Sequence, residues 1–269
     1  MRQLLIFLSW FVFSGVPVLA EQTPLERLDT GVDGRKWEAV GRLDVGGRGF
    51  CTGALIAPDL VLTAAHCLFD SETGEAFTLE EMEFLSGWRN GRATAHRAVR
   101  RSVVHPEYRF TQTVTVEAVR HDIALLQLQH PIENTRVDPF VAETRSRRHA
   151  EVGVVSYARD RSEAPSLQKT CGVLDQRDGV MVMSCSVDHG ASGAPVFAMS
   201  DGVLRIVSVI SAMAEHEGEI VALGAKLDEP LSQMRAQIKS HTRPDTSSSR
   251  TLFSNGTNRE IGAKFLKPE

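Results

Sequence analysis

Phe50-Cys51-Thr52-Gly53-Ala54-Leu55-Ile56-Ala57-Pro58-Asp59-Leu60-Val61-Leu62-Thr63-Ala64-Ala65-His66-Cys67 holds two apolar runs around a turn sequence, Ala57-Pro58-Asp59-Leu60. Opposed residue numbers in an antiparallel pair sum to a constant, and Cys51 and Cys67 centre on Asp59. The two sulfurs are thus expected to face each other across one hairpin, within reach of a disulfide. Cys171 and Cys185 centre likewise on Asp178, where Arg177-Asp178-Gly179 suits a three-residue loop with glycine in the left-handed position. Of the three pairings that four cysteines allow, this arithmetic selects Cys51–Cys67 and Cys171–Cys185. No Cys-x-x-Cys and no histidine pair at ligand spacing occurs, so no metal is expected.

Outward from this hairpin, short apolar or alternating runs recur with turn signals between them: Ala39–Val45, Ile123–Leu128, Val152–Tyr157, Leu167–Leu174, Val180–Val187, Ala194–Ala198, Val203–Ser211 and Ile220–Lys226. That pattern is an antiparallel all-β sandwich or barrel rather than a βαβ array. One helix is expected near the end, with Asp228 as cap, Pro230 in its first turn and Leu231, Met234 and Ile238 as its stripe. From Thr242 the chain turns polar, and 242–269 reads as a flexible tail.

The 269 residues carry 42% hydrophobic and 24% charged side chains, a globular balance that excludes wholesale disorder. A net charge of −4 lacks the cationic field of a nucleic-acid binder. The arginine clusters at Arg97, Arg100, Arg101 and at Arg145, Arg147, Arg148 read as solvated strand faces and loops. Met1–Ala20 reads as a signal peptide, with Arg2 first, an apolar run from Leu4 to Phe13, and small residues at Val18-Leu19-Ala20. The rival, an uncleaved anchor, is short of the roughly 20 apolar residues of a membrane span. The expected protein is secreted or periplasmic, without stable membrane insertion after cleavage, and in a compartment that permits disulfides.

Three segments carry chemistry. Leu62-Thr63-Ala64-Ala65-His66-Cys67 places a histidine beside a cross-linked cysteine. In His121-Asp122-Ile123-Ala124-Leu125-Leu126 an acid heads an apolar strand, where burial is costly without a partner. Asp188-His189-Gly190-Ala191-Ser192-Gly193-Ala194-Pro195 sets a serine among small residues, open to a ligand. Each is weak alone; a serine in a glycine-rich turn is usually structural. The joint order His…Asp…Ser is the informative feature.

On Phe50-Cys51-Thr52-Gly53-Ala54-Leu55-Ile56, Thr63-Ala64-Ala65-His66-Cys67, Asp122-Ile123-Ala124-Leu125-Leu126 and Gly190-Ala191-Ser192-Gly193-Ala194-Pro195, the chain resembles the chymotrypsin-fold (trypsin-like) serine proteases. It is closest in style to the exported bacterial trypsin-like and glutamyl-endopeptidase-like branch. The resemblance runs from about Trp37 to near His241 and implies two six-stranded antiparallel β-barrels with a C-terminal helix. Together with the composition of its two ends, this divides the chain into a signal peptide (1–20), an N-terminal segment (21–36), a first barrel (37–138), a second barrel with the helix (139–241) and the tail (242–269). The resemblance implies a serine endopeptidase acting on protein or peptide substrates without a cofactor, with catalytic His66, Asp122 and Ser192. The backbone N–H groups of Gly190 and Ser192 would form the oxyanion hole. Ser211 would support the Asp, and Ser211-Ala212-Met213 with Ser186 would line the substrate site.

The departures concern activation and specificity. Where animal zymogens carry an Asp before the catalytic serine, to pair with a new N-terminus, this chain has Ala191. Ser186 stands where trypsin has its specificity Asp, and Ile210 where glutamyl endopeptidases have a histidine, so neither Arg/Lys nor Glu preference is implied. Asp188 and His189 read as solvated loop residues. A catalytically silent binding module on the same fold is the rival class; such modules usually lose a triad residue, and all three are present here.

Overall fold

The computed structural model describes residues 22–143, 149–240 and 263–265. The signal-peptide reading of 1–20 and the second arginine cluster lie outside them. A short edge strand β1 (Glu26–Arg27) precedes β2 (Val40–Val45), β3 (Gly49–Ala57), β4 (Leu60–Thr63), β5 (Met82–Ser86), β6 (Ala95–Val104) and β7 (Ala124–Leu128). The six strands β2-β3-β4-β7-β6-β5 close into a barrel, with helix α1 (Val116–Arg120) just before β7. Then follow β8 (Val141–Ala142), β9 (Glu151–Ser156), β10 (Ser166–Arg177), β11 (Val180–Met183), β12 (Pro195–Ser200), β13 (Val203–His216) and β14 (Glu219–Lys226). The order β10-β11-β14-β13-β12-β9, with β9 also paired to β10, closes the second antiparallel barrel. Helix α2 (Asp228–Ser240) follows, and β15 (Ala263–Phe265) is the one described part of the tail, paired antiparallel to β13.

Turn chemistry sets most of the topology. Asp178-Gly179, Asp201-Gly202 and Glu217-Gly218 all have positive φ at both positions, the geometry of tight two-residue hairpins whose twist matches the strands. The β10–β11 turn is thus a two-residue loop, with Arg177 facing Val180, and not the expected three-residue one. In the first barrel, Phe84 is fully buried between Gly41 and Gly53, where an added Cβ would meet its ring or neighbouring atoms at 2.5 and 2.8 Å. Two glycines on paired strands make room for one aromatic, which keeps the interior close-packed.

The cysteines join as Cys51–Cys67 and Cys171–Cys185. The first bridge is not cross-strand, as the hairpin arithmetic had it. A register shift between Leu55 and Ala57 moves the ladder, so that Ala54 faces Leu62. Cys67 lies past the strand end, in a 3₁₀ turn Ala65–Leu68, while Cys51 faces Leu43 of β2. The bridge therefore ties this turn, and His66 in it, to the first part of β3. Val180–Val187 is shorter than expected, since β11 ends at Met183 and residues 184–188 leave the ladder. Strands β5 and β6 lie outside the apolar and alternating runs read from the sequence. Arg97, Arg100 and Arg101 lie on β6, where Arg101 Nη1 reaches the Ile238 carbonyl of α2 at 3.1 Å.

Replacing both Cys51 and Cys67 by alanine opens a loop with a sequence separation of 16 residues. Urea denaturation is expected to show a loss of about 2–4 kcal/mol.

Candidate active site

Asp122 sits between α1 and β7. Thr115 starts α1, its side-chain oxygen accepting the Ala118 N–H at 3.1 Å. The turn after it is closed by Asp122 N–H to the Val119 carbonyl at 3.2 Å and Ile123 N–H to the His121 carbonyl at 2.8 Å. The Asp122 side chain is 4% exposed. Burying a carboxylate so deeply is tolerable only with donors around it, and three are supplied. The His66 backbone N–H reaches Oδ1 at 2.8 Å, His66 Nδ1 lies 2.6 Å from Oδ2, and Ser211 Oγ donates to Oδ2 at 2.5 Å. A carboxylate can only accept, so Nδ1 carries the proton and Nε2 keeps a lone pair. Burial pushes the His66 pKa down, but the charge of Asp122 and its hydrogen bond together outweigh it and hold it above the usual histidine value.

Ser192 is half-buried in the turn before β12. Ala191 N–H donates to Asp188 O at 2.9 Å, Gly193 N–H to Ile210 O at 2.8 Å and Ala194 N–H to Ala191 O at 2.9 Å. The N–H groups of Gly190 and Ser192 meet no acceptor among the described residues, which leaves two donors of this turn for a ligand. Gly190 has φ +95°, and a Cβ there would fall 2.4 Å from the Phe50 ring. At Gly193, φ +78°, a Cβ would fall 2.2 Å from both the Thr52 carbonyl and Thr63 Oγ1. Both glycines are thus required by left-handed backbone and by close approach to the first barrel.

Thr52 joins the two halves of the site. Its N–H donates to Ser192 O at 2.8 Å, its Oγ1 donates to Gly190 O at 2.9 Å, and that same oxygen accepts the Tyr157 N–H at 3.1 Å. Thr52 is fully buried in β3, the strand cross-linked to the turn that carries His66. Thr52 and Gly193 are site residues beyond those expected from the motifs, although a threonine inside an apolar strand needs partners and so carries a signal.

The remaining expected residues are spread around this centre. Ser211 lies at the bulge of β13 between Ile210 and Ala212, its hydroxyl turned to Asp122. Ala212 and Met213 are half-buried and face Leu223 and Ala222 of β14. Ser186 is exposed in the segment after β11, and its N–H donates to Gln168 Oε1 at 2.8 Å. Asp188 is exposed and accepts the His189 N–H. His121 stacks on His105 with ring centroids 4.6 Å apart and 9° between planes, and its Nε2 lies 3.1 Å from Glu107 Oε2. Burial first, and then the neighbouring His121, push the His105 pKa down to about 4.

Two groups of described residues have the donor types of a metal site. Cys51, His66 and Cys67 fail because both sulfurs are spent in the disulfide. In His105, Glu107 and His121 the two stacked rings are almost parallel, so one ion cannot lie in the plane of both.

The trypsin family matches residues 31–223. The chain is 34% identical over 89 residues to the modular serine protease of Drosophila melanogaster, covering 32% of this chain and 14% of that protein. It is 26% identical over 155 residues to a glutamyl endopeptidase of Bacillus licheniformis, covering 56% and 46%. It is 28% identical over 123 residues to human mannan-binding lectin serine protease 1, covering 41% and 17%. The matches therefore span less than half the length of these relatives. A solved structure of Glu endopeptidase in complex with MPD superposes with a TM-score of 0.65 at 17% identity, covering 80% of this chain and 97% of that one. At that identity it speaks for the fold.

Ser211→Ala removes one of three donors to the buried Asp122 carboxylate. Urea denaturation is expected to show a loss of about 1–3 kcal/mol, the usual cost of a buried polar group left short of a partner.

Proposed function

The chain belongs to the trypsin family, and we propose that it is an exported serine endopeptidase that hydrolyses peptide bonds through His66, Asp122 and Ser192. The observation that carries this reading is the double hold of Asp122 on His66, at the backbone N–H and at Nδ1. It leaves Nε2 as a base, while Thr52 ties the Ser192 turn to the strand cross-linked beside that histidine. Export rests on the apolar N-terminal run and fits the two disulfides. Among the described residues no helix is long and apolar enough to cross a membrane.

The chemistry follows from need. Ser192 Oγ attacks the scissile carbonyl as His66 Nε2 takes its proton. Asp122 stabilises the resulting imidazolium and fixes the ring. The oxygen of the tetrahedral intermediate becomes negative, and the two donors of Gly190 and Ser192 receive it. Collapse expels the amine, which takes the proton from His66 and leaves an acyl-Ser192. Water then attacks the acyl carbon while giving a proton to His66, and the acid leaves as Ser192 recovers its hydrogen. His121, held by His105 and Glu107, takes no part. Glutamate is not assigned as the preferred residue: Ile210 is 2% exposed within the apolar core of the second barrel and offers no charge to a carboxylate.

Peptide-library cleavage by the purified protein tests the reading. Ser192→Ala is expected to lower kcat on the order of 10⁶-fold and His121→Ala to leave most of it. Inertness of the unaltered protein toward the library and toward serine-directed covalent probes would overturn it in favour of the silent binding module.

The pH profile has its own expectation. The base must be neutral, so kcat/KM should fall as pH drops through the raised His66 pKa, with the acid limb above the ordinary histidine range. Asp122→Asn removes both interactions that raise it and keeps the burial. The limb should move to lower pH, and the rate should drop by roughly 10⁴.

A further inference from the structure

The segment Thr23–Leu28 lies along the second barrel. Thr23 N–H donates to the Thr170 carbonyl at 3.0 Å, and Thr170 N–H donates back to Thr23 Oγ1 at 2.9 Å. Glu26 and Arg27 face Leu167 and Ser166 in β10, Glu26 pairs with Lys169 Nζ at 2.6 Å, and Leu28 N–H donates to Pro165 O at 2.9 Å. Beneath this strand sits Gln168, 2% exposed, at the start of the irregular stretch of β10 between Gln168 and Cys171. Both ends of its amide are used. Nε2 donates to the Thr23 carbonyl at 2.9 Å, and Oε1 accepts the Ser186 N–H at 2.8 Å.

These partners dictate the residue. Thr23 offers an acceptor and Ser186 a donor, so the group between them must donate at one end and accept at the other. A carboxylate would leave the Thr23 carbonyl without a donor; an ammonium or guanidinium would leave the Ser186 N–H without an acceptor. The Ser186 end matters because residues 184–188 have left the β11 ladder. Their fixed points are the Cys171–Cys185 bridge, the Ser184 bonds to Gly172 and the Ser186–Gln168 bond. Asp188 O then accepts the Ala191 N–H, which leads directly into the Ser192 turn.

We infer that Gln168 is a positioning residue through which the N-terminal segment holds the Ser186 loop in its substrate-binding position. The inference rests on the protease reading and deepens it. It assigns the N-terminal segment a role by strand pairing and a carbonyl, with no terminal ammonium required, in keeping with Ala191 in place of an acid. Loss of the link should weaken substrate binding and leave the chemical step, since no atom of Gln168 is placed among the reacting groups.

Two measurements on the full mature protein test it. The first is hydrogen exchange at the Ser186 amide in four proteins: unaltered, Gln168→Ala, Gln168→Glu, and a chain beginning at Leu25, which lacks Thr23. Gln168→Ala and the shortened chain should lose Ser186 protection by at least tenfold, whereas Gln168→Glu, which still accepts, should keep more of it. The second is steady-state kinetics on the best library peptide. Gln168→Ala should raise KM about tenfold, the equivalent of one hydrogen bond of about 1.4 kcal/mol, with kcat changed less than threefold. The shortened chain should show the same split, and combining the two changes should add nothing further. Unchanged Ser186 protection in the shortened chain, or fully additive effects, would overturn the coupling. A loss of protection with KM unchanged would overturn the role in substrate binding. If no peptide is cleaved by any of the four, the protease reading fails and the exchange result still decides whether the N-terminal segment holds the loop.

Discussion

Thr52 uses one backbone N–H and one hydroxyl to hold the carbonyls of Ser192 and Gly190, and receives the Tyr157 N–H in return. Two independently closed barrels have no covalent reason to keep a fixed angle at this point. Here the alignment is set by bonds from the fully buried Thr52, and each would be expensive to break because a buried polar group would lose its partner. The absence of a side chain at Gly193 is the other half of the contact. It allows the second barrel's turn to approach the Thr52 carbonyl and Thr63 hydroxyl more closely than any Cβ permits. Thr63 Oγ1 in turn donates to Thr52 O at 2.9 Å, so that carbonyl is satisfied from within the hairpin.

The all-β class and the β10–β11 hairpin were legible because an Asp-Gly turn specifies a tight reversal by local sterics alone. Strands β5 and β6 were not legible. Met82-Glu83-Phe84-Leu85-Ser86 buries four of its five residues, and β6 carries His96, Arg97, Arg100 and Arg101 on a surface strand, so the period-2 signal is blurred. The candidate His, Asp and Ser could be named from their motifs. What lies around them could not, because the Thr52–Gly190, Ser211–Asp122 and Gln168–Thr23 bonds join residues 89 to 145 positions apart. Such pairs carry no periodicity and emerge only when both barrels are closed. The Cys51–Cys67 pairing shows the same limit: the arithmetic assumed an unbroken ladder, and the shift after Leu55 is invisible to it.

Ala191 bears on how the Ser192 turn keeps its shape. The residue is fully buried. An acid in its place would need a cation to offset the loss of hydration. With alanine that demand vanishes, and the turn is held by its own backbone: Ala191 to Asp188, Ala194 to Ala191, Gly193 to Ile210, and Thr52 from across the cleft. Five bonds, two of them from Thr52, orient the turn while sparing the N–H groups of Gly190 and Ser192. The proposed site thus offers no buried acid next to Ser192 for a terminal ammonium to pair with. What remains to be held from outside is the segment before it, residues 184–188. There the edge strand and one buried amide supply neutral hydrogen bonds to that segment, and such bonds carry no dependence on a titrating charge.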